Sequence, residues 1–167
     1  VCPPRGKSLT QHQIEAGFSA VLDMGMPTAL YQLPQVTENE VAPETFERIV
    51  RKYSNLIFFK DSSGQDSIAT SDVYKDGVFL VRGAEGNYAQ WLAEKGGSYN
   101  GFLLSTANCF SQNLSSLIES LEKNDHEKAR GISEQLTTVV NKVFALVQPM
   151  PYGNPFTNAN KAIDHFL

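Results

Sequence analysis

The stretch Asn55-Leu56-Ile57-Phe58-Phe59-Lys60-Asp61-Ser62-Ser63-Gly64 decides the fold. Four large apolar residues in a row read as a strand over 55–60, buried on both faces as in a parallel sheet. The run ends on a lysine and a small polar turn. A buried strand has no structural use for a terminal ammonium, because desolvating a lone cation is expensive. Such a lysine has two readings. It can snorkel past the strand end into water. Alternatively, held against apolar walls, it can serve as a nucleophilic amine that forms a Schiff base with a carbonyl substrate.

Working outward, the flanking segments alternate in type. Thr10 is placed to cap a helix over about 11–24 with Ile14, Phe18, Val21 and Leu22 inward, closed by Gly25. Residues 27–33 read as a short buried strand stopped by Pro34, followed by a polar loop over 35–42. Pro43 suits the first turn of a helix ending near Tyr53, with Phe46, Ile49 and Val50 inside. Beyond the lysine strand come a weak helix at 65–75, a strand at 78–82, a helix at 88–95 and a strand near 99–104. Three helical segments follow, at about 111–123, 125–148 and 157–167; the middle one presents Ile132, Leu136, Val139, Val140, Val143 and Leu146 as its apolar stripe.

This order is that of a parallel sheet with covering helices, either an open doubly wound sheet or a (β/α)8 barrel. No GxGxxG or Walker sequence follows a strand, which weakens the nucleotide-binding version. In a barrel, functional groups project from the C-terminal ends of the strands. There this chain places Tyr31, Lys60, Gly83 and the Ser105-Thr106 pair. Four consecutive strand ends, each with something a small polar substrate can touch, tip Lys60 toward the catalytic reading.

Composition narrows the classes. The 167 residues are 41% hydrophobic and 19% charged, as in an ordinary globular domain. The net charge of -4 and the lack of a Lys/Arg cluster argue against nucleic acid. No apolar run approaches a membrane span and no signal peptide is visible, so no membrane partner is expected. Cys2 and Cys109 form neither a disulfide framework nor a metal spacing, and His12, His126 and His165 lie far apart, so a zinc site is not expected and the cytoplasm is the expected location.

Three stretches, Tyr31-Gln32-Leu33-Pro34, Lys60-Asp61-Ser62-Ser63-Gly64 and 97–108 (GSYNGFLLSTAN), together resemble the dihydrodipicolinate synthase/N-acetylneuraminate lyase family. These are class I aldolases and lyases that form a Schiff base with a 2-keto acid inside a TIM barrel. The resemblance implies that Lys60 is the Schiff-base lysine and Tyr31 the proton-shuttling tyrosine. Gly83 and Leu103 match positions that shape the pyruvyl pocket, and Ser62, Glu85 and Ser105 match positions that touch the distal part of the substrate. It implies no cofactor, a small-molecule 2-keto acid partner and a homotetramer.

The departures bear on substrate. Gln32 stands where the family usually has asparagine, and Thr37-Glu38 where it commonly has Thr-Gly. Val36 aligns with an arginine that grips a carboxylate in the lysine-biosynthesis enzyme, which argues against that activity. Glu85-Gly86 matches only one of the consecutive acidic residues of the neuraminate lyases. A 2-keto-3-deoxy sugar acid is the remaining expectation, with a sugar-acid dehydratase using the same lysine, or a non-catalytic half-barrel binding module, as alternatives.

The first three family strands and most of the fourth have no counterpart. The expected architecture is therefore the C-terminal half of a (β/α)8 barrel (about strands 5–8) over residues 1–108, with a truncated C-terminal helical segment over 109–167. Several residues draw ordinary readings: Trp91 as core, the charged run 119–130 as a solvated helix face with His126 exposed, and Arg5 and Lys7 as solvated cations or contacts for an anionic substrate. Asn158 and Asn160 read as caps or an interface.

Overall fold

The computed structural model describes residues 1–92 and 97–166. These fall into two compact units, Val1–Ala84 with Ser98–Phe102, and the remaining described residues from Glu85 onward. The division reflects packing, and so does not coincide with the strand-and-helix boundary at 108.

The first unit holds helix α1 (Gln11–Leu22), strand β1 (Thr28–Gln32), the single turn α2 (Pro34–Thr37), helix α3 (Pro43–Lys52), strand β2 (Leu56–Asp61), the single turn α4 (Ser67–Thr70) and strands β3 (Phe79–Arg82) and β4 (Gly101–Phe102). The four strands are parallel, in the order β1-β2-β3-β4. Thr10 opens α1 through a capping box with Gln13. Pro43 sits in the first turn of α3, where its missing N–H costs nothing. The loop expected over 35–42 contains α2, and the weak helix expected at 65–75 shortens to one turn.

Successive side chains of a strand point to opposite faces. Leu30, Phe59 and Leu80 lie on the helix-covered face and are buried with Ile14, Phe18, Phe46 and Ile49; the rings of Phe46 and Phe59 are 4.7 Å apart. Each such side chain contributes roughly 1.5–3 kcal/mol on burial. The opposite face carries Tyr31, Phe58, Lys60, Phe79 and Val81, with the Phe58 and Phe79 rings stacked at 6.1 Å. Phe79 is 50% exposed there. The expectation of a strand buried on both faces is thus corrected. Within this unit the helices cover one face, and Ile57, 49% exposed, falls where the β1–β2 register shifts.

The second unit is helical: a 3-10 turn (Tyr88–Gln90) and helices α5 (Ala107–Glu122), α6 (His126–Val147) and α7 (Pro155–Phe166). The 3-10 turn replaces the start of the helix expected at 88–95, whose remainder at 93–95 lies outside the described residues. Asp125 caps α6 by accepting from the Lys128 N–H. The buried line of α6 runs through Ala129, Ser133, Leu136, Val140 and Val147, while Val139 and Leu146 are exposed. This rotates the expected stripe, because Ser133 turns inward to the 3-10 turn, where its hydroxyl accepts from the Ala89 N–H at 3.2 Å. No helix among the described residues is long and apolar enough to cross a membrane.

Candidate active site

In the first unit, β1 and β2 pair so that Tyr31 stands opposite Lys60 and Gln32 opposite Asp61. Two residues far apart in sequence thus stand side by side. Lys60 Nζ lies 4.5 Å from the centroid of the Tyr31 ring, within the range at which a ring face attracts an ammonium. Both side chains are half-buried, so a ligand can reach them.

Gly83, just beyond β3, explains how the lysine arm fits. A Cβ at this position would collide with Ser62 Oγ and stand 2.5 Å from Lys60 Cε. The missing side chain leaves the space that the lysine and serine fill. The Gly83 N–H donates to the Asp61 carbonyl at 2.6 Å, holding the two strand ends together. Ser62 is buried, and its hydroxyl has no hydrogen-bond partner among the described residues. A buried unmet hydroxyl costs about 1–3 kcal/mol, and this one lies beside the lysine arm, available to a ligand. Tyr31, Lys60, Ser62 and Gly83 thus converge.

Behind them, on the helix-covered face, is a polar cluster that the sequence reading missed. Asp61 and Tyr99 are fully buried, and Asp66 and Arg82 nearly so. Asp61 Oδ1 accepts from Gln32 Nε2 at 3.2 Å and from the Ser63 N–H at 2.8 Å. The Tyr99 hydroxyl lies 2.7 Å from Asp66 Oδ1 and 3.3 Å from Asp61 Oδ2. Arg82 grips Asp66 with Nε and Nη2 at 2.9 and 3.0 Å and donates Nη1 to the Ala84 carbonyl. Burial, then the charge of Asp61, raises the Tyr99 phenol well above its ordinary range, so it stays a donor. Burial and Asp61 likewise raise the Glu40 carboxyl. The signal in the sequence was Asp61 itself, since a residue next to Lys60 on a strand must point to the other face.

The other expected site residues belong to the second unit. Glu85 is half-buried; its Oε2 accepts from the hydroxyls of Thr106 at 2.6 Å and Tyr88 at 2.9 Å, and its Oε1 from the Thr106 N–H at 3.1 Å. The carboxylate thus caps the start of α5, where helix N–H groups favour negative charge. Burial, then Glu85, raises the Tyr88 phenol. Ser105 accepts from Asn160 Nδ2 at both its carbonyl and its hydroxyl, 3.1 and 3.0 Å away, which gives Asn160 a role the sequence left open. Leu103 is 49% exposed, following β4. Arg5, read as a solvated cation or substrate contact, pairs with Glu38 at 2.8 Å.

A sequence model of the dihydrodipicolinate synthetase family matches residues 3–154. The chain belongs to this family. A 4-hydroxy-tetrahydrodipicolinate synthase of Methanospirillum hungatei JF-1 is 25% identical over 150 residues, covering 89% of this chain and 49% of the relative. One of Exiguobacterium sibiricum is 28% identical over 154 residues, covering 89% and 50%. The chain spans about half the length of the curated relatives it matches. Among solved structures, the dihydrodipicolinate synthase of Bacteroides thetaiotaomicron superposes with a TM-score of 0.78 at 22% identity, over 99% of this chain and 55% of that one. The 2-keto 3-deoxygluconate aldolase of Picrophilus torridus superposes with a TM-score of 0.73 at 21% identity, over 98% and 58%. These two likenesses show a fold shared with two proteins whose named activities differ.

Proposed function

We propose that this family member acts as a class I aldolase or lyase on a 2-keto acid, with Lys60 as the nucleophile and Tyr31 as the proton carrier. The observation that carries the reading is the Tyr31–Lys60 pair, register partners on one sheet face, with Nζ 4.5 Å from the ring. On this reading the four strands are the C-terminal half of a (β/α)8 barrel, whose C-terminal strand ends hold the chemistry.

In the reaction, the neutral amine of Lys60 adds to the keto carbon to give a carbinolamine. Loss of water, formed from the keto oxygen and two protons, gives the imine. The protonated imine is an electron sink, so the bond two carbons away breaks to release an aldehyde and leave an enamine. Protonation of the enamine carbon and hydrolysis of the resulting imine then release pyruvate, the shortened keto acid, and the free lysine. The Tyr31 phenol hands protons to and from the oxygens that change charge, a role that needs hydrogen-bond reach to them. Gly83 leaves room for the arm, and the unpartnered Ser62 hydroxyl offers the substrate a hydrogen bond.

The neighbouring loop supports one substrate class over another. Val36 in α2 is 58% exposed and supplies neither charge nor donor to a second carboxylate. A hydroxylated 2-keto-3-deoxy sugar acid, with one carboxylate, fits that loop better than a dicarboxylic condensation product. The test is to incubate the protein with a panel of 2-keto-3-deoxy sugar acids and to follow pyruvate release. Release that disappears in Lys60→Ala supports the reading. Products that keep the full carbon skeleton would move it to a dehydratase, and no turnover of any 2-keto acid would leave a binding module.

A further inference from the structure

We infer that Asp61 and Gln32 form a register lock, a positioning pair on the covered face of the sheet that sets the distance between Tyr31 and Lys60 on the other. The inference deepens the Schiff-base reading above and rests on it for its catalytic consequence. Two consecutive ladder pairs of β1 and β2 carry it: Tyr31 opposite Lys60, then Gln32 opposite Asp61. Because strand side chains alternate, these adjacent pairs point to opposite faces, and a slip of one residue would exchange them.

The second pair is built to resist such a slip. Gln32 and Asp61 are both fully buried. The Gln32 amide is oriented by the Val41 N–H, which donates to its Oε1 at 2.9 Å, so its Nε2 is left to donate to Asp61 Oδ1 at 3.2 Å. Asp61 is fixed from two further sides, by the Ser63 N–H at 2.8 Å and by the Tyr99 hydroxyl of the segment entering β4 at 3.3 Å. In any other register these buried polar atoms would lose their partners, which a low-dielectric interior penalises heavily. The backbone continues the clamp, since the Ser62 N–H donates to the Gln32 carbonyl at 3.0 Å. Asp61 and Gln32 point to the face opposite Lys60 and Tyr31, so they act through the backbone that carries both.

The variants Gln32→Leu, Asp61→Ala and Asp61→Asn separate this role from simple stability. Asparagine keeps an acceptor for Gln32 and Ser63 and can donate to the Tyr99 oxygen, so it should rescue what alanine loses. The first readout is the ring-current shift of the Lys60 ε-methylene protons in the labelled protein, which reports the Tyr31 ring directly. The second is the rate of borohydride trapping with pyruvate per folded molecule. The expected result is a shift collapsed toward its unfolded value in Gln32→Leu and Asp61→Ala, retained in Asp61→Asn, with trapping slowed about tenfold only where the shift is lost. Ile14→Val, which weakens the core of the same unit, should move neither readout. A ring-current shift retained in both Gln32→Leu and Asp61→Ala, or lost equally in Ile14→Val, overturns the lock. If Asp61→Ala does not fold, Gln32→Leu carries the same test. A shift present in the wild type and lost in the variants, with a wild type that never traps pyruvate, upholds the lock and defeats the Schiff-base reading instead.

Discussion

Replacing Gly83 with alanine perturbs the site by a single methyl group, and the structure fixes what that methyl meets. It would overlap Ser62 Oγ and lie 2.5 Å from Lys60 Cε, with the Asp61 carbonyl at 3.3 Å. Carbon atoms rest about 3.5–4.0 Å apart, so the lysine arm must retreat by roughly 1 Å. The backbone cannot yield easily, because the Gly83 N–H is bound to the Asp61 carbonyl. Overpacking of this kind costs about 1–3 kcal/mol, less than the stability of an ordinary domain, so the variant should stay folded. A displacement of about 1 Å at a reacting group costs on the order of a hundredfold in rate. The assay is the initial rate of borohydride trapping with pyruvate, beside a urea denaturation curve. Gly131→Ala is the contrasting substitution: an added Cβ in the interior of α6 meets nothing within 4 Å, so trapping should be unchanged and stability should rise by about 0.5–1 kcal/mol. A Gly83→Ala protein that traps pyruvate at the wild-type rate would refute the packing argument.

Three further outcomes follow from other parts of the chain. Arg82→Met should strand Asp66 as a buried charge, since the pair is only 6% and 4% exposed, and lower the unfolding free energy by about 3–5 kcal/mol in urea. Glu38 adopts φ 64°, a left-handed conformation that costs a non-glycine residue about 1–2 kcal/mol; Glu38→Gly should raise the melting temperature despite losing the solvent-screened pair with Arg5. Burial first, then the bond to Asp164, pushes the Cys109 thiol up to about 11. A raised thiol titration leaves less thiolate at any pH below it, so at pH 8 a disulfide reagent should label the exposed Cys2 first, and Cys109 should gain reactivity only as the pH approaches its raised value.

Much of the fold could be read from the order of its segments. The apolar run before Lys60, the capping residue Thr10 and the proline at the start of α3 each act locally, and local signals survive into the structure. The Tyr31–Lys60 adjacency was legible because both residues end apolar strands, and neighbouring parallel strands bring such ends together. Long-range compensation was not legible. Asp61, Asp66 and Arg82 are scattered charges in sequence, and their burial becomes tolerable only through partners the fold brings together: Arg82 with Asp66, Gln32 with Asp61, and Tyr99, thirty-eight positions from Asp61. The stripe of α6 was misplaced because alanine and serine carry a weak hydrophobic signal, although Ala129 and Ser133 are both buried and Ser133 accepts from the Ala89 N–H. Glu38 gave no sign of its left-handed backbone beyond standing where relatives of the resembled pattern commonly have glycine. Glu85 shows the reverse difficulty, since the carboxylate expected near substrate also caps a helix, and sequence does not distinguish the two uses.

The most direct measurement is borohydride reduction of the protein in the presence of pyruvate, followed by intact mass and peptide mapping. The expected result is one stable adduct, located on Lys60 and absent from Lys60→Ala, with Tyr31→Phe slowing its formation. An adduct on another lysine, or none at all from folded protein, would contradict it.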